Sequence, residues 1–288
     1  MYMANETFLG GKVPFAVAHC NFQLRAEESD GDELFVREWC AERGITCHSR
    51  KFDTLSHAKE TGKSVEMAAR DLRYAWFSQL CHDFGYEGVC VAHNANDNAE
   101  TLLLNLLRGT GSKGLRGMEE DGVLSCDSSV RLLRPLLHTT REQIQSRMTE
   151  KGLPWREDST NMENDARRNI IRNRVFPLLK TINPSFVRTL ERDMKHFKQT
   201  DSIAEDCFIQ ARMQVLAKDG SIDLSSLLKL NHWEYILFRL LEGSSLSEET
   251  FDKLVELLRS GRTISGKVFQ SPDHIVRIRK KTLEILPR

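Results

Sequence analysis

The stretch EGVCVAHNANDNAETLLLNLLRGTGSKGLRGM, Glu87–Met118, decides the fold. Gly88-Val-Cys-Val91 is a short apolar run of strand type. The spacing that follows predicts a helix over 97–108, with Ala99, Leu102, Leu103, Leu106 and Leu107 as its buried stripe. Gly109 stands where helices commonly end. Between strand and helix, His93 to Thr101 gathers a histidine, two acids, three amides and a hydroxyl. Beyond the helix, Arg108 meets a Gly-Thr-Gly turn. A strand that runs into so polar a helix start predicts an α/β fold whose chemistry lies at the strand's C-terminal end.

The upstream sequence repeats the pattern. KVPFAVAHCNF reads as a buried strand, EESDGDELFVREWCAERGI as an amphipathic helix ending at Gly44, and TCHSRKFD as the next strand. SVEMAARDLRYAWFSQLCHDFGY reads as a longer helix. Strand and helix alternating over about 100 residues predict a parallel sheet. AHCNFQLR and AHNANDNAET then both sit at strand C-terminal ends. Downstream, SSVRLLRPLL is a short strand or extended segment, TTREQIQSRMTEKGL a helix capped by Thr139 or Thr140, and PWREDSTNMEND a loop. ARRNIIRNRVFPLLKTI and NPSFVRTLERDMKHFKQTDSIAEDCFIQARMQVLA are helical. Two helices, around LLKLNHWEYILFRLLEG and SEETFDKLVELLRSG, and a hairpin-like GKVFQSPDHIVRIRKKTLEILP form a smaller unit. The expected domains are 1–125 (α/β), 126–215 (helical) and 216–288 (small α+β).

Hydrophobic residues make up 40% and charged residues 28% of the 288, the profile of a globular protein. No apolar run approaches the ~18 residues of a membrane span, and no secretion signal is visible. Seven scattered cysteines without a C-x-x-C pair predict a reduced cytoplasmic setting with no cysteine-held metal or cluster. The net charge is zero, yet residues 167–198 carry nine Lys/Arg against two acids. That stripe reads either as a solvated helix face or as a surface for a polyanion.

The polar helix start has two readings as well. Asp97-x-x-Glu100 resembles a capping box, which needs neither His93 nor Asn96. Alternatively the two carboxylates and the histidine hold Mg²⁺ on a nucleotide, or an amine. Arg108 and Thr110, with the backbone of Gly109 and Gly111, could grip phosphate.

AHCNFQLRAEESDGDELFVREWC, SVEMAARDLRYAWF, AHNANDNAETLLLNLLRGTGSKGLRGM, LLRPLLHTTREQI and LPWREDSTNMENDARRNIIRNRVFPLL occur in this order. In order and spacing they resemble the tRNA(Ile)-lysidine synthetases, members of the PP-loop (N-type ATP pyrophosphatase) family. The resemblance runs from about residue 12 to 200 and weakly to the end, where SGKVFQSPDHIVRIR looks like the family's small tRNA-contacting domain. It implies a PP-loop (adenine nucleotide alpha hydrolase-like) parallel-sheet domain, a helical region and a small α+β domain.

The implied reaction is ATP-dependent: the C2 oxygen of the wobble cytidine in a CAU-anticodon isoleucine tRNA is adenylated, and the amine of free lysine displaces AMP. The resemblance implies catalytic roles for His93, Asn96, Asp97, Glu100 and Arg168. It implies nucleotide contacts for His19, Cys20, Asn21, Arg25, Arg108, Gly109, Thr110 and Gly111, with Mg²⁺ arriving on ATP and Asp97 as its candidate ligand. Arg134, Arg156, Asp158, Asn161, Asn169 and Arg172 are implied on the tRNA side. Glu66, Arg70 and Arg73, in the E-x-x-x-R-x-x-R-Y helix, belong to the site or form buried ion pairs.

One family motif is not found: Ser-Gly-Gly-x-Asp-Ser, whose backbone wraps pyrophosphate; Gly10-Gly11 is a weak echo. The expectation is therefore a domain missing its first β-α unit, weak ATP binding by the chain alone, and exposed strand edges that favour association, a homodimer being the simplest form. The competing reading is a non-catalytic tRNA-binding paralogue. A tRNA thiolase is disfavoured by the missing C-x-x-C pairs.

Overall fold

The computed structural model describes residues 14–156, 167–261 and 265–288. The chain divides into two compact units, Met1–Met194 and Lys195–Arg288.

In the first unit β1 (Val17–Asn21) and β2 (Cys47–Lys51) pair in parallel, with His19 opposite Ser49. Parallel neighbours need a crossover, and α1 (Glu27–Ala41) supplies it. Its Trp39 and Cys40 bury with Ile45 against Val17, Val36 and Cys47. A short α2 (Thr54–Thr61) follows, capped by Asp53 and ended by Gly62. The sequence reading missed this helix because its eight residues lack an apolar stripe. α3 (Val65–Phe84) begins at the Ser64 cap and stops at Gly85, whose φ of 68° is the left-handed turn that glycine takes without strain.

β3 (Gly88–Cys90) pairs in parallel with β5 (Asp127–Leu133), and β4 (Asp121–Leu124) adds antiparallel to β5. Here the structure differs from the single parallel sheet expected. The described residues of this unit form a two-stranded and a three-stranded sheet, and no ladder joins β1 to β3. β4 was not foreseen, and the expected boundary at 125/126 falls in the β4–β5 turn. One helix serves both sheets. Tyr74, Trp76, Phe77 and Leu80 of α3 bury with Phe52 beyond β2 and with Leu124, Val130 and Leu132 of the hairpin.

α4 (Ala95–Arg108) leaves the end of β3, and α5 (Ser112–Leu115) and α6 (Arg141–Glu150) follow. α7 (Arg167–Ile170) passes into a π-helical turn, Ile171–Val175, then α8 (Phe176–Ile182). The wide turn precedes Pro177, which has no N–H to give, so a regular ladder cannot run through it. α9 (Phe186–Val215) comes next, and the division between units falls within it. Ala95, Ala99 and Leu104 of α4 bury with Ile171, Phe176, Phe186 and Val187. The stripe predicted for α4 fails at its end: Leu107 is 79% exposed and Leu106 is exposed too, while Leu104 and Glu100 turn inward.

In the second unit β6 (Ile222–Asp223), β7 (Val268–Gln270), β8 (His274–Arg279) and β9 (Thr282–Pro287) form a sheet in the order β6-β9-β8-β7. Val276, Ile278 and Leu283 bury with α10 (Leu224–Leu227), α11 (Trp233–Leu241), α12 (Glu248–Arg259) and the end of α9. Among the described residues, no helix is long and apolar enough to cross a membrane.

Candidate active site

The peptide that joins β3 to α4 builds the centre of the site. Asn94 caps α4: its side chain accepts the N–H groups of Asn96 and Asp97 at 2.9 and 3.2 Å. Asp97 Oδ2 accepts the Asn94 N–H at 3.0 Å and completes a capping box. The box is thus Asn94 with Asp97, one turn earlier than Asp97 with Glu100, and α4 starts at Ala95 rather than Asp97. Capping and chemistry share one residue, because Asp97 Oδ1 remains free of the cap and accepts from Arg172 Nη2 at 3.2 Å.

Glu100, 1% exposed, receives Arg172 in a fork: Nε to Oε1 at 2.7 Å and Nη2 to Oε2 at 3.1 Å. Burial pushes the Glu100 carboxyl up, against the hydrogen bonds and charge of Arg172. Arg172 leaves the π turn, so the break in helical regularity aims this guanidinium. Arg168, one turn earlier, acts on both Glu100 and His93, and Asn169 lies beside it on α7.

His93 accepts from Arg134 Nε at its Nδ1, 3.3 Å away. Arg134 also donates to the Glu119 carbonyl at 2.7 Å. Burial drives the His93 pKa down to about 4; Asp97 opposes this, and Arg134, Arg70 and Arg168 reinforce it. Asn96 has a different task. Its Oδ1 accepts the Arg141 N–H at 2.9 Å and docks the start of α6 on α4.

A second group of charges gathers where β1 ends. Asn21 is fully engaged within the fold: Nδ2 donates to Asp30 and Glu33 at 2.8 and 2.9 Å, and Oδ1 accepts the Gln23 N–H. Asp32 accepts Arg25 at 2.8 Å and Arg156 at 2.6 Å. Burial lowers the His19 pKa, with Glu33 and Asp32 pulling back. It pushes the Cys20 thiol up to about 11 against the charge of Arg73. Arg73 lies over Phe22 and Arg70 over Tyr74, so these arginines stack on rings.

The structure brings together His93, Asp97, Glu100, Arg134, Arg168 and Arg172, with Asn96 and Asn169 adjoining. Arg108, Gly109, Thr110 and Gly111 lie apart: Arg108 is eleven helical residues from Asp97, or roughly 16 Å along α4. Their loop folds back on the helix. Asn98 accepts the Met118 N–H at 2.7 Å, and Asn105 donates to the Gly114 carbonyl at 2.9 Å. Gly117 is required there, because its φ is +71° and a Cβ would fall 2.5 Å from Asn98 Oδ1. Asp158, Asn161 and Gly10-Gly11 lie outside the described residues. Sequence reading missed Asp32 and the Glu119 carbonyl, and it did not foresee Arg70 acting on His93. Asp32 lies within the quoted AHCNFQLRAEESDGDELFVREWC stretch but carried no assigned role there, Glu119 falls just past the Glu87–Met118 stretch, and a backbone acceptor leaves no trace in residue type.

Among the described residues no group of three or more His, Cys, Asp or Glu is arranged to hold a metal. Asp97 and Glu100 instead face a guanidinium.

Residues 1–179 match a family described as "PP-loop domain", and residues 217–288 one described as "TilS substrate binding domain". The tRNA(Ile)-lysidine synthase of Parabacteroides distasonis is 37% identical over 261 residues, which cover 91% of this chain and 57% of that protein. The one from Chlorobaculum tepidum is 36% identical over 259 residues, 86% of this chain and 76% of that protein. A third, from Porphyromonas gingivalis, is 45% identical over 184 residues, 63% of this chain and 38% of that protein. The chain spans about half the length of the first curated relatives it matches. Among solved structures, a U34-tRNA thiolase from Methanococcus maripaludis with its 4Fe-4S cluster aligns with a TM-score of 0.53 and 16% identity, over 68% of this chain and 66% of that chain. That is a likeness of fold.

Proposed function

The chain belongs to the tRNA(Ile)-lysidine synthase family of PP-loop proteins, and from that premise we propose that its site joins lysine to the wobble cytidine of a CAU-anticodon isoleucine tRNA. ATP adenylates the cytidine C2 oxygen and releases diphosphate. The lysine amine then attacks C2 and AMP leaves. The observation that carries this reading is the gathering of His93, Asp97, Arg134, Arg168 and Arg172, from separate stretches of chain, around the end of β3. Guanidinium groups there suit the charge of a nucleotide phosphate, and Asp97, partly open, suits the ammonium of lysine. Glu100 is too deeply buried to meet a ligand, so on this reading it positions Arg172. Mg²⁺ enters with the nucleotide, and no step is assigned to it. His19 and Arg25 form the nucleotide side, the basic residues of α7 and α8 meet the tRNA, and the second unit, which matches a substrate binding domain, contacts tRNA separately. The setting is the cytoplasm, where seven free cysteines stay reduced. The β1 and β3 edges, unpaired among the described residues, could join in a homodimer.

A second reading rests on one observation: Ser-Gly-Gly-x-Asp-Ser occurs nowhere in the 288 residues. On this reading the chain binds ATP weakly and acts as a tRNA-binding paralogue. One assay separates the two. The purified chain is incubated with CAU-anticodon tRNA, ATP, Mg²⁺ and labelled lysine. Label in the tRNA together with AMP release supports the ligase. RNA retention without AMP release supports the paralogue, and neither signal sinks both.

A further inference from the structure

His93 and Arg134 constrain each other more tightly than the proposed reaction requires. A guanidinium carries only N–H donors and stays protonated at any working pH. Arg134 Nε sits 3.3 Å from His93 Nδ1, so that nitrogen must be the acceptor. Arg134 has little freedom to turn away, since its Nη1 donates to the Glu119 carbonyl at 2.7 Å and its backbone N–H to the Glu120 carbonyl at 2.8 Å. The segment leading into β4 thereby holds both its side chain and its backbone. An imidazole that accepts at Nδ1 and is neutral carries its proton on Nε2. Neutrality follows from the surroundings. Arg134 beyond β5, Arg70 on α3 and Arg168 on α7 all act on the ring as cations, and among the described residues Asp97 on α4 is the carboxylate against them. Burial adds to the cost of a second proton.

We infer that Arg134 is a positioning residue that fixes His93 as the Nε2–H tautomer, so that His93 meets its ligand as a neutral hydrogen-bond donor and not as a base. The ligand this suits is an acceptor oxygen in a cationic pocket, such as a phosphoryl oxygen. That last identification rests on the function proposed above, whereas the tautomer does not.

The test needs no substrate. The full chain, labelled with ¹⁵N, gives imidazole nitrogen spectra at pH 7, and His93→Gln assigns the signals among nine histidines. The expected spectrum shows Nε2 protonated and Nδ1 unprotonated for His93. Arg134→Met should convert this to exchange between tautomers and move the His93 titration up toward the ordinary value of about 6.5, while the other eight histidines stay unchanged. Arg134→Lys, which keeps a cation without the fixed Nε–H, should also lose the single tautomer. A wild-type His93 protonated at Nδ1 or doubly protonated at pH 7 overturns the inference, even if a variant fails to fold. So does an Arg134→Met spectrum identical to wild type. Failure of the ligase assay leaves this result standing, and the reverse also holds.

Discussion

Two knots of arginine and carboxylate tie the first unit together, one at the end of β1 and one at the end of β3. At β1, Asp32 takes Arg25 and Arg156, and all three side chains reach solvent: Asp32 is 22% exposed and Arg156 47%. At β3, Glu100 takes Arg172 in a fork, with exposures of 1% and 18%. Their geometries are similar, with closest contacts of 2.6 and 2.7 Å. Their consequences are not. Water screens the first knot and shares its hydrogen bonds, so each contact there is worth little. In the second, Glu100 has lost its water and Arg172 keeps little, so each partner is a liability without the other. Proximity in a structure therefore says less about energy than what lies behind the pair.

The sharpest way to break this comparison is Arg172→Ala. It leaves the Glu100 carboxylate buried without its counter-charge, at an expected loss of about 3–5 kcal/mol in unfolding free energy. Urea unfolding followed by circular dichroism measures it. Arg172→Lys should recover only part, because an ammonium cannot reproduce the fork. A loss near that of a surface pair, under about 1 kcal/mol, would erase the distinction between the knots.

Asp97 sharpens the contrast from within the buried knot, because it serves the helix with one oxygen and the site with the other. Asp97→Asn keeps an oxygen for the Asn94 N–H, so stability should change by no more than about 1 kcal/mol. A charge-assisted contact to a lysine ammonium is worth about 1.5–3 kcal/mol, so lysine-dependent activity should fall by roughly 10- to 100-fold. Equal losses in stability and activity would mean that Asp97 only caps.

Glu33, beside the β1 knot, tests whether a buried carboxylate with good partners behaves as its burial or as its partners dictate. Burial alone would raise its pKa, yet hydrogen bonds from Asn21 and Arg37 help bring it from 4.5 down to about 2. A carboxyl that ionises more easily folded than unfolded adds stability above the unfolded value and loses it as pH falls through the folded one. The stability due to Glu33 is thus full above about pH 4.5 and fades toward pH 2. Glu33→Gln should lower stability at pH 7 by about 1–2 kcal/mol and flatten its decline between those limits. An unchanged acid profile would remove Glu33 from the account.

How much of this was legible beforehand follows from range. Local signals were readable: the Thr140 cap, Gly109 after α4 and the polar run at His93 all lie within a few residues of what they control. Glu100 and Arg172 are 72 residues apart and Asp32 and Arg156 are 124 apart, so no spacing rule connects them. The same limit misled the reading of α4. A leucine stripe predicts burial only where a neighbour covers it, and the helix keeps its partners over Ala95–Leu104 but exposes Leu106 and Leu107. α2 and β4 escaped because one is too short for a stripe and the other turns at Ser125-Cys126 without glycine or proline.

The smallest effect belongs to Arg156→Ala. Asp32 keeps its bond to Arg25 at 2.8 Å after the change, and its side chain is 22% exposed. The loss should not exceed about 1 kcal/mol at low salt and should shrink further at 1 M, where the Debye length is about 3 Å. Urea midpoints for wild type and variant at the two salt concentrations give the comparison. Since Arg172→Ala removes a contact that salt cannot reach, its deficit should persist at 1 M while the Arg156→Ala deficit disappears. If both persisted, exposure would not be what separates the two knots, and the Arg156–Asp32 bond would have to be counted as part of the core that holds α1 in place.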